Sequence, residues 1–255
     1  MPILETRELT VRFGGHIAVN AVTCAFEPGT LTAIVGPNGA GKTTYFNLIS
    51  GQLPATAGSV LFKGEDVTAL GPDRRTRRGI GRAFQLTNLF PNLTVLENVR
   101  LAVQARARNG VDLFSMASRH HDLIEKARHY LDRVALTARA RTHAAALSHG
   151  DQRKLEVALM LALEPDIFMF DEPTAGMSVD EVPVILDLIE DIKQAGDKTI
   201  LLVEHKMDVV RRLADRIIVL TNGTLVADGE PAAVVALPVV QEAYLGIRQR
   251  EAGNG

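Results

Sequence analysis

Three short apolar runs along the chain are each followed at once by polar residues. They cover residues 31–35, 167–170 and 199–203. Fully apolar runs of this length are typical of strands that are buried on both faces, and segments with helical periodicity separate them. The pattern therefore predicts an α/β fold whose core contains a parallel sheet.

Alternating polar and apolar residues predict two antiparallel hairpins. The first surrounds Gly14-Gly15 within residues 3–26, and the second surrounds Asn222-Gly223 within residues 216–227. Glycine in a two-residue connection is the strongest short-range signal for a hairpin. Together with the parallel strands, the hairpins predict a mixed sheet and a separate antiparallel β subdomain.

Residues 94–142 have helical periodicity and no strand pattern. Asn109-Gly110 predicts a break between two helical parts. One apolar stripe contains Leu123, Ala127, Tyr130, Leu131 and Val134. We interpret about residues 94–160 as a helical lobe inserted into a core made of residues 1–90 and 160–230. Residues 231–255 are expected to form a weakly helical tail, and residues 1–255 a single domain.

The first apolar run leads into a glycine-rich stretch with the spacing G-x-x-x-x-G-K-T, which is Gly36-Pro37-Asn38-Gly39-Ala40-Gly41-Lys42-Thr43. Thr44, the next residue, is also expected to bind the nucleotide. Glycines tolerate positive φ, so the backbone N–H groups and the following helix N-terminus can point at a phosphate. Lys42 can reach the β- and γ-phosphates, and the Thr43 hydroxyl can ligate Mg²⁺. This stretch predicts a P-loop that binds a nucleoside triphosphate.

The other two apolar runs end in Asp171-Glu172 and in His205. Parallel strands present their carboxyl ends at one edge of the sheet, so these side chains are expected beside the P-loop. Asp171 would hold Mg²⁺ through a bound water together with Thr43, and Glu172 would orient and polarise an attacking water. With Lys42 on the phosphates and His205 on the γ-phosphate, the predicted chemistry is triphosphate hydrolysis.

Three further features have ordinary structural interpretations. Phe13 could stack on adenine, but composition alone favours an ordinary core residue. The cluster of Arg74, Arg75, Arg77 and Arg78 is interpreted as a solvated helix face. The histidines of the helical lobe lack metal-ligand spacing and are interpreted as surface or packing residues.

Composition excludes several classes of protein. The net charge of −2 does not fit dedicated nucleic-acid binding. The single cysteine, Cys24, excludes an intramolecular disulfide and suits a reducing compartment. Residues 1–8 carry acidic side chains and are not expected to form a secretory signal, and no apolar run reaches the about 18 residues of a membrane span. Any link to a membrane is therefore expected to go through a partner.

Over nearly its whole length the chain resembles the ATP-binding subunit of an ABC transporter. The P-loop, Gln85, the signature Leu147-Ser148-His149-Gly150-Asp151, the acidic strand end and His205 occur in the order of that family. The resemblance implies the ABC ATPase fold, with ATP and Mg²⁺ as ligands. It also implies a head-to-tail dimer in which the P-loop of one copy and the signature of the other enclose each ATP.

The family match assigns further residues. Ser148 and Gly150 would face the γ-phosphate of the partner copy, and Phe13 would stack on adenine. Gln85 would bind Mg²⁺ and link the attacking water to the helical lobe. Leu89 and Phe90 would lie near the groove that receives a coupling helix of the membrane subunit.

Subfamily motifs, among them Arg12-Phe13-Gly14-Gly15 and the terminal Tyr244-Leu245-Gly246, resemble importers of branched-chain amino acids and related amides or urea. The implied partners are a second ATPase subunit, identical or a sister chain, transmembrane permease subunits and, indirectly, a periplasmic solute-binding protein, with no nucleic acid. The implied location is peripheral, on the cytoplasmic face of the inner membrane.

Two alternatives stay open at this point, an exporter ATPase such as that of lipopolysaccharide export and a soluble non-transport ABC ATPase. The chain also departs from the family pattern at three positions. His149 and Asp151 replace the first Gly and the Gln of Leu-Ser-Gly-Gly-Gln, and Ser178 replaces an Asp. An aspartate near a γ-phosphate adds repulsion, so Asp151 is expected to point away from it.

Overall fold

The apolar runs and the hairpins of the sequence form two separate β-sheets. The computed structural model describes residues 1–83, 89–107 and 117–242, with the backbone only for residues 117–120. The strands are β1 (Leu4–Phe13), β2 (His16–Phe26), β3 (Leu31–Val35), β4 (Ala57–Phe62), β5 (Glu65–Asp66), β6 (Ile80–Ala83), β7 (Ile167–Asp171), β8 (Thr199–Val203), β9 (Arg216–Thr221) and β10 (Thr224–Gly229). The helices are α1 (Lys42–Ser50), α2 (Pro72–Arg78), α3 (Val95–Arg106), α4 (Ala117–Arg133), α5 (His149–Ala162), α6 (Val182–Gln194), α7 (Met207–Leu213) and α8 (Pro231–Val235).

The larger sheet has the strand order β10-β9-β3-β8-β7-β6. Neighbouring strands from β9 to β6 are parallel, and β10 is antiparallel to β9 across the Asn222-Gly223 turn. The predicted mixed sheet is therefore confirmed. Every residue of β3 and β8 is buried, which explains why these strands read as continuous apolar runs.

The smaller sheet is antiparallel and has the order β2-β1-β4-β5. Phe13 lies opposite His16, so Gly14-Gly15 is the two-residue turn that the sequence predicts. The buried residues of this sheet, among them Leu4 and Phe26, pack in one cluster with Tyr45 and Phe46 of α1. The helix that follows the P-loop is thus held between the two sheets.

Helices α3, α4 and α5 pack together and form the predicted helical region. Ala127, Leu131 and Val134 of the predicted apolar stripe are fully buried. The predicted break at Asn109-Gly110 lies outside the described residues. Helix α5 begins after Ser148, whose hydroxyl accepts a hydrogen bond from the backbone N–H of Asp151. No helix in the described parts of the chain is long and apolar enough to cross a bilayer.

The interpretation of the arginine cluster as a solvated face is wrong for Arg75, which is only 2% exposed. Its guanidinium donates to four backbone carbonyls, which are those of Leu48, Ile49, Thr68 and Leu70. Burial lowers the pKa of Arg75 to about 10, so the side chain is still protonated at neutral pH. A positive charge at the C-terminal end of α1 is favourable toward the helix dipole.

Candidate active site

The glycine-rich loop connects β3 to α1 and needs its glycines for two different reasons. Gly36, Gly39 and Gly41 all have positive φ, at 149°, 77° and 94°. A Cβ on Gly36 would lie 2.1 Å from the carbonyl oxygen of Leu220, and one on Gly41 2.5 Å from that of Ala18. A Cβ on Gly39 would meet no atom within 4 Å. Neighbouring backbone atoms therefore pack tightly against the loop at Gly36 and Gly41, whereas the loop is open at Gly39.

Lys42 begins α1 and is 8% exposed. Its ammonium group donates hydrogen bonds to the carbonyl oxygens of Gly36, at 2.7 Å, and Pro37, at 2.9 Å. Burial lowers the pKa of Lys42, and the charges of Glu172 and Asp171 oppose that shift. The predicted phosphate ligand and the predicted acidic pair are thus neighbours in the folded chain.

Asp171 is the last residue of β7, and its side chain is 9% exposed. It accepts a hydrogen bond of 2.8 Å from Arg82 of β6. Arg82 also donates to Asn47 and Ser50 of α1, at 2.7 and 2.9 Å. One buried arginine therefore fixes Asp171 relative to the P-loop helix. Sequence reasoning missed Arg82, although a charged residue inside a short apolar strand is a usable signal.

Glu172 has φ of +49°, which is uncommon for a residue with a side chain. Its backbone N–H donates to the carbonyl of Val203 at 2.9 Å, and this bond fixes the turn after β7 against the end of β8. The Glu172 carboxylate lies 3.8 Å from Nδ1 of His205. Both side chains are about half exposed, at 42% and 53%. The structure thus brings together Glu172 and His205, as the strand-end argument predicts.

The signature residues at the start of α5 contact their own helix and the loop before α6. A Cβ on Gly150 would lie 2.3 Å from a carboxylate oxygen of Glu181. Glu181 accepts hydrogen bonds from the backbone N–H and the hydroxyl of Ser178, and from Lys154. Lys154 also pairs with Asp151 at 3.3 Å. The Asp151 carboxylate therefore has a cationic neighbour within its own helix.

Phe13 is 50% exposed at the end of β1, so the core interpretation of this ring is wrong. Its stacking on adenine stays a prediction. Gln85 lies outside the described residues, and its predicted contact with Mg²⁺ stays a prediction as well. Phe90, expected near a membrane subunit, is 54% exposed.

The residues present fit a triphosphate and Mg²⁺. A buried ammonium group lies against a loop in which glycine is required, and this loop runs directly into a helix N-terminus. Thr43 is exposed at that helix terminus and Asp171 lies near it, so hydroxyl and carboxylate oxygens are available, which are the ligands that Mg²⁺ prefers.

The chain has the features that define an ABC ATPase. They are a P-loop, an acidic strand end and a serine-capped signature helix, on a fold with a mixed sheet, an antiparallel sheet and a helical lobe. The family model described as ABC transporter matches residues 19–175. The chain belongs to this family, whose ATPase subunits bind ATP with Mg²⁺ and hydrolyse it.

Two bacterial relatives match the chain along almost its full length. The high-affinity branched-chain amino acid transport ATP-binding protein LivG of Escherichia coli is 36% identical over 252 residues, which cover 96% of this chain and 98% of LivG. The corresponding protein BraF of Pseudomonas aeruginosa is 37% identical over 250 residues, with the same coverage.

Solved structures support the same fold. The ADP conformation of MJ1267, an ATP-binding cassette of an ABC transporter, has a TM-score of 0.80 and 31% identity and covers 96% of this chain and 99% of that one. A dimeric, post-hydrolysis structure of the cassette MJ0796 with ADP and phosphate has a TM-score of 0.77 and 28% identity, covering 89% of this chain and 98% of that one.

Proposed function

We propose that this chain powers a membrane importer of branched-chain amino acids by hydrolysing ATP. The observation that carries the proposal is the 36% identity, over 96% of the chain, to an ATP-binding protein of high-affinity branched-chain amino acid transport. That identity favours an importer over the exporter and the soluble ATPase that the sequence left open. Import of related amides or urea is the other outcome that a transport assay can distinguish.

The P-loop and the side chains after β7 and β8 have separate roles in the proposed hydrolysis. Lys42 and the backbone N–H groups of residues 36 and 38–44 neutralise the phosphate charge, and Thr43 and Asp171 would hold Mg²⁺. The bound metal would neutralise charge that develops on the phosphate oxygens. Glu172 orients and polarises the attacking water, and Gln85, as the family resemblance implies, would link Mg²⁺ and that water to the helical lobe. His205 donates a hydrogen bond to the γ-phosphate.

The proposal includes a second ATPase subunit, identical or a sister chain. In that dimer Ser148 and Gly150 of one copy face the γ-phosphate bound by the other, and Phe13 stacks on adenine. Permease subunits, contacted near Leu89 and Phe90, hold the pair at the cytoplasmic face of the membrane, and a solute-binding protein acts on the permease. ATP binding closes the dimer, and hydrolysis reopens it.

Glu172→Gln tests the catalytic assignment. The amide keeps the shape of the side chain but cannot act as a base, so we expect ATP binding to persist while turnover stops. The variant is also expected to accumulate as an ATP-bound dimer in size-exclusion chromatography. Glu125→Gln, which removes an exposed carboxylate from α4, is the matched control and should hydrolyse ATP normally. Turnover by Glu172→Gln at the parent rate would show that Glu172 is not the base.

Transport is tested by reconstituting the chain with its permease and solute-binding subunits in proteoliposomes. We expect ATP inside the vesicles to support uptake of leucine, isoleucine and valine, with Glu172→Gln as the inactive control. Uptake of urea or short amides in place of these amino acids would correct the solute. Export, or no ATP-dependent transport by the active assembly, would overturn the importer proposal.

A further inference from the structure

Glu204 is a fully buried carboxylate that the proposed mechanism does not use. It directly follows β8 and precedes His205. One carboxylate oxygen accepts hydrogen bonds from the backbone N–H groups of His205, at 2.8 Å, and Lys206, at 3.1 Å. The other accepts from the hydroxyl of Thr174 at 3.0 Å. Burying a carboxylate is costly unless such bonds compensate it, so the arrangement is specific.

Thr174 lies on the other catalytic loop, two residues after Glu172, and is 2% exposed. Its hydroxyl donates to Glu204 and accepts from the ammonium group of Lys206 at 3.2 Å. The carboxylate therefore joins the loop after β7 to the loop after β8. A second link between the same two segments is the hydrogen bond from the Glu172 N–H to the Val203 carbonyl.

We propose that Glu204 is a positioning residue that acts through Thr174 to hold Glu172 beside His205. A backbone φ of +49° is costly in energy for a residue other than glycine, such as Glu172, and persists only where the surrounding structure enforces it. Two links supply that enforcement, one at the Glu172 backbone and one at Thr174. Without the second link the loop can relax, and the Glu172 carboxylate then moves from its position 3.8 Å from His205.

The inference rests on the proposed role of Glu172 and predicts a particular kinetic effect. The bonds described for Glu204 and Thr174 go to each other and to the loop after β8, whereas those of Lys42 go to the P-loop carbonyls. Loss of the bridge should therefore lower kcat and leave ATP affinity nearly unchanged. A merely structural carboxylate would instead lower the melting temperature without selecting kcat.

Thr174→Val and Thr174→Ser form the matched test. Valine keeps the branched shape but removes the hydroxyl, while Glu204 retains both bonds to backbone N–H groups. Serine keeps the hydroxyl and should restore the bridge. We expect kcat of Thr174→Val to fall about tenfold or more, since small displacements of catalytic groups have effects of that order. Thr174→Ser should recover most of the parent rate, and Glu204→Gln, which loses one acceptor, should resemble the valine variant.

The experiment measures kcat, KM for ATP, binding of a fluorescent ATP analogue and thermal unfolding for the full chain and each variant. Lowered kcat in Thr174→Val, with unchanged ATP affinity and rescue by serine, supports the proposal. A parent-like kcat in folded Thr174→Val overturns it, as does an equal loss in both Thr174 variants. Should Thr174→Val not fold, Glu204→Gln decides by the same criterion. Absence of hydrolysis in the parent chain with its partners would instead refute the proposed function.

Discussion

Replacing Arg75 with methionine tests how the C-terminal end of the P-loop helix is held. The guanidinium is buried and donates to the carbonyls of Leu48 and Ile49, at 2.6 Å each, and to two carbonyls in the segment before α2. Methionine fills a similar volume but donates nothing. The substitution therefore removes a cation and four hydrogen bonds at one buried point.

The expected loss of stability can be estimated from the carbonyl groups that lose a hydrogen-bond donor. Leu48 keeps a second donor, the N–H of Gly51, so the main losses fall on the other three carbonyls. An unsatisfied buried acceptor costs about 1–3 kcal/mol, and relief of the buried charge offsets part of the sum. We expect the free energy of unfolding to fall by about 2–4 kcal/mol, or roughly 5–15 °C in melting temperature for a chain of this size.

The assay is thermal and urea unfolding of the full chain at neutral pH, followed by circular dichroism. Arg77→Met is the matched control, because Arg77 belongs to the same helix and is exposed, so its effect should stay within about 0.5 kcal/mol. Arg75→Lys keeps a positive charge but cannot donate to all four carbonyls, so its stability should lie between those of Arg75→Met and Arg77→Met. Equal stability of Arg75→Met and Arg77→Met would refute the argument.

Two further predictions concern glycine and a helix cap. Gly223 donates its N–H to the carbonyl of Ala40 in the P-loop, and a Cβ there would lie 2.6 Å from a β2 carbonyl. Gly223→Ala should weaken binding of a fluorescent ATP analogue, whereas Gly64→Ala, with positive φ but no atom nearer than 3.8 Å to the added Cβ, should not; equal affinities would contradict this. Thr94→Ala removes the capping box of α3 and should cost about 1 kcal/mol in urea unfolding. Hydrogen bonds from Thr94 lower the pKa of Glu97, so their contribution is present above the ordinary carboxyl pKa and is lost as the pH falls through the lowered value. The stability difference between the parent and Thr94→Ala should therefore narrow in acid without vanishing, because the bond from the Glu97 backbone N–H to the Thr94 hydroxyl does not depend on the charge of Glu97. A difference that stays constant with pH would exclude the Glu97 carboxylate.

Local patterns were sufficient to predict most strands and which strand ends lie together. The apolar runs that became β3, β7 and β8 were predicted to be parallel and to place their polar ends together, and Asp171 does lie opposite Val203 at that edge. The turns at Gly14-Gly15 and Asn222-Gly223 were predicted because they depend on adjacent residues only. The central place of β3 between β9 and β8 depends on distant pairings, which periodicity does not report.

The residues that were missed share one physical property, since each is a buried charged side chain with at least one hydrogen-bond partner far away in sequence. Arg75 was interpreted as solvated because its carbonyl partners on α1 precede it by 26 and 27 positions. Arg82 reaches Asp171 across 89 positions, and Glu204 reaches Thr174 across 30. A sequence pattern identifies which apolar residues are buried. The hydrogen-bond partner that compensates the cost of burying a charge is known only from the fold.

Two of the three departures from the family pattern, Asp151 and Ser178, are linked by a series of contacts. Asp151 places a carboxylate where the family commonly has glutamine, and its charge is balanced by Lys154 one turn later. Lys154 also binds Glu181, and Glu181 in turn accepts both hydrogen bonds of Ser178. The aspartate at the signature and the serine at position 178 are therefore two ends of one chain of contacts. Lys154 is buried and pairs with the Asp151 and Glu181 carboxylates at 3.3 Å each, so one ammonium group limits the repulsion between these two like charges.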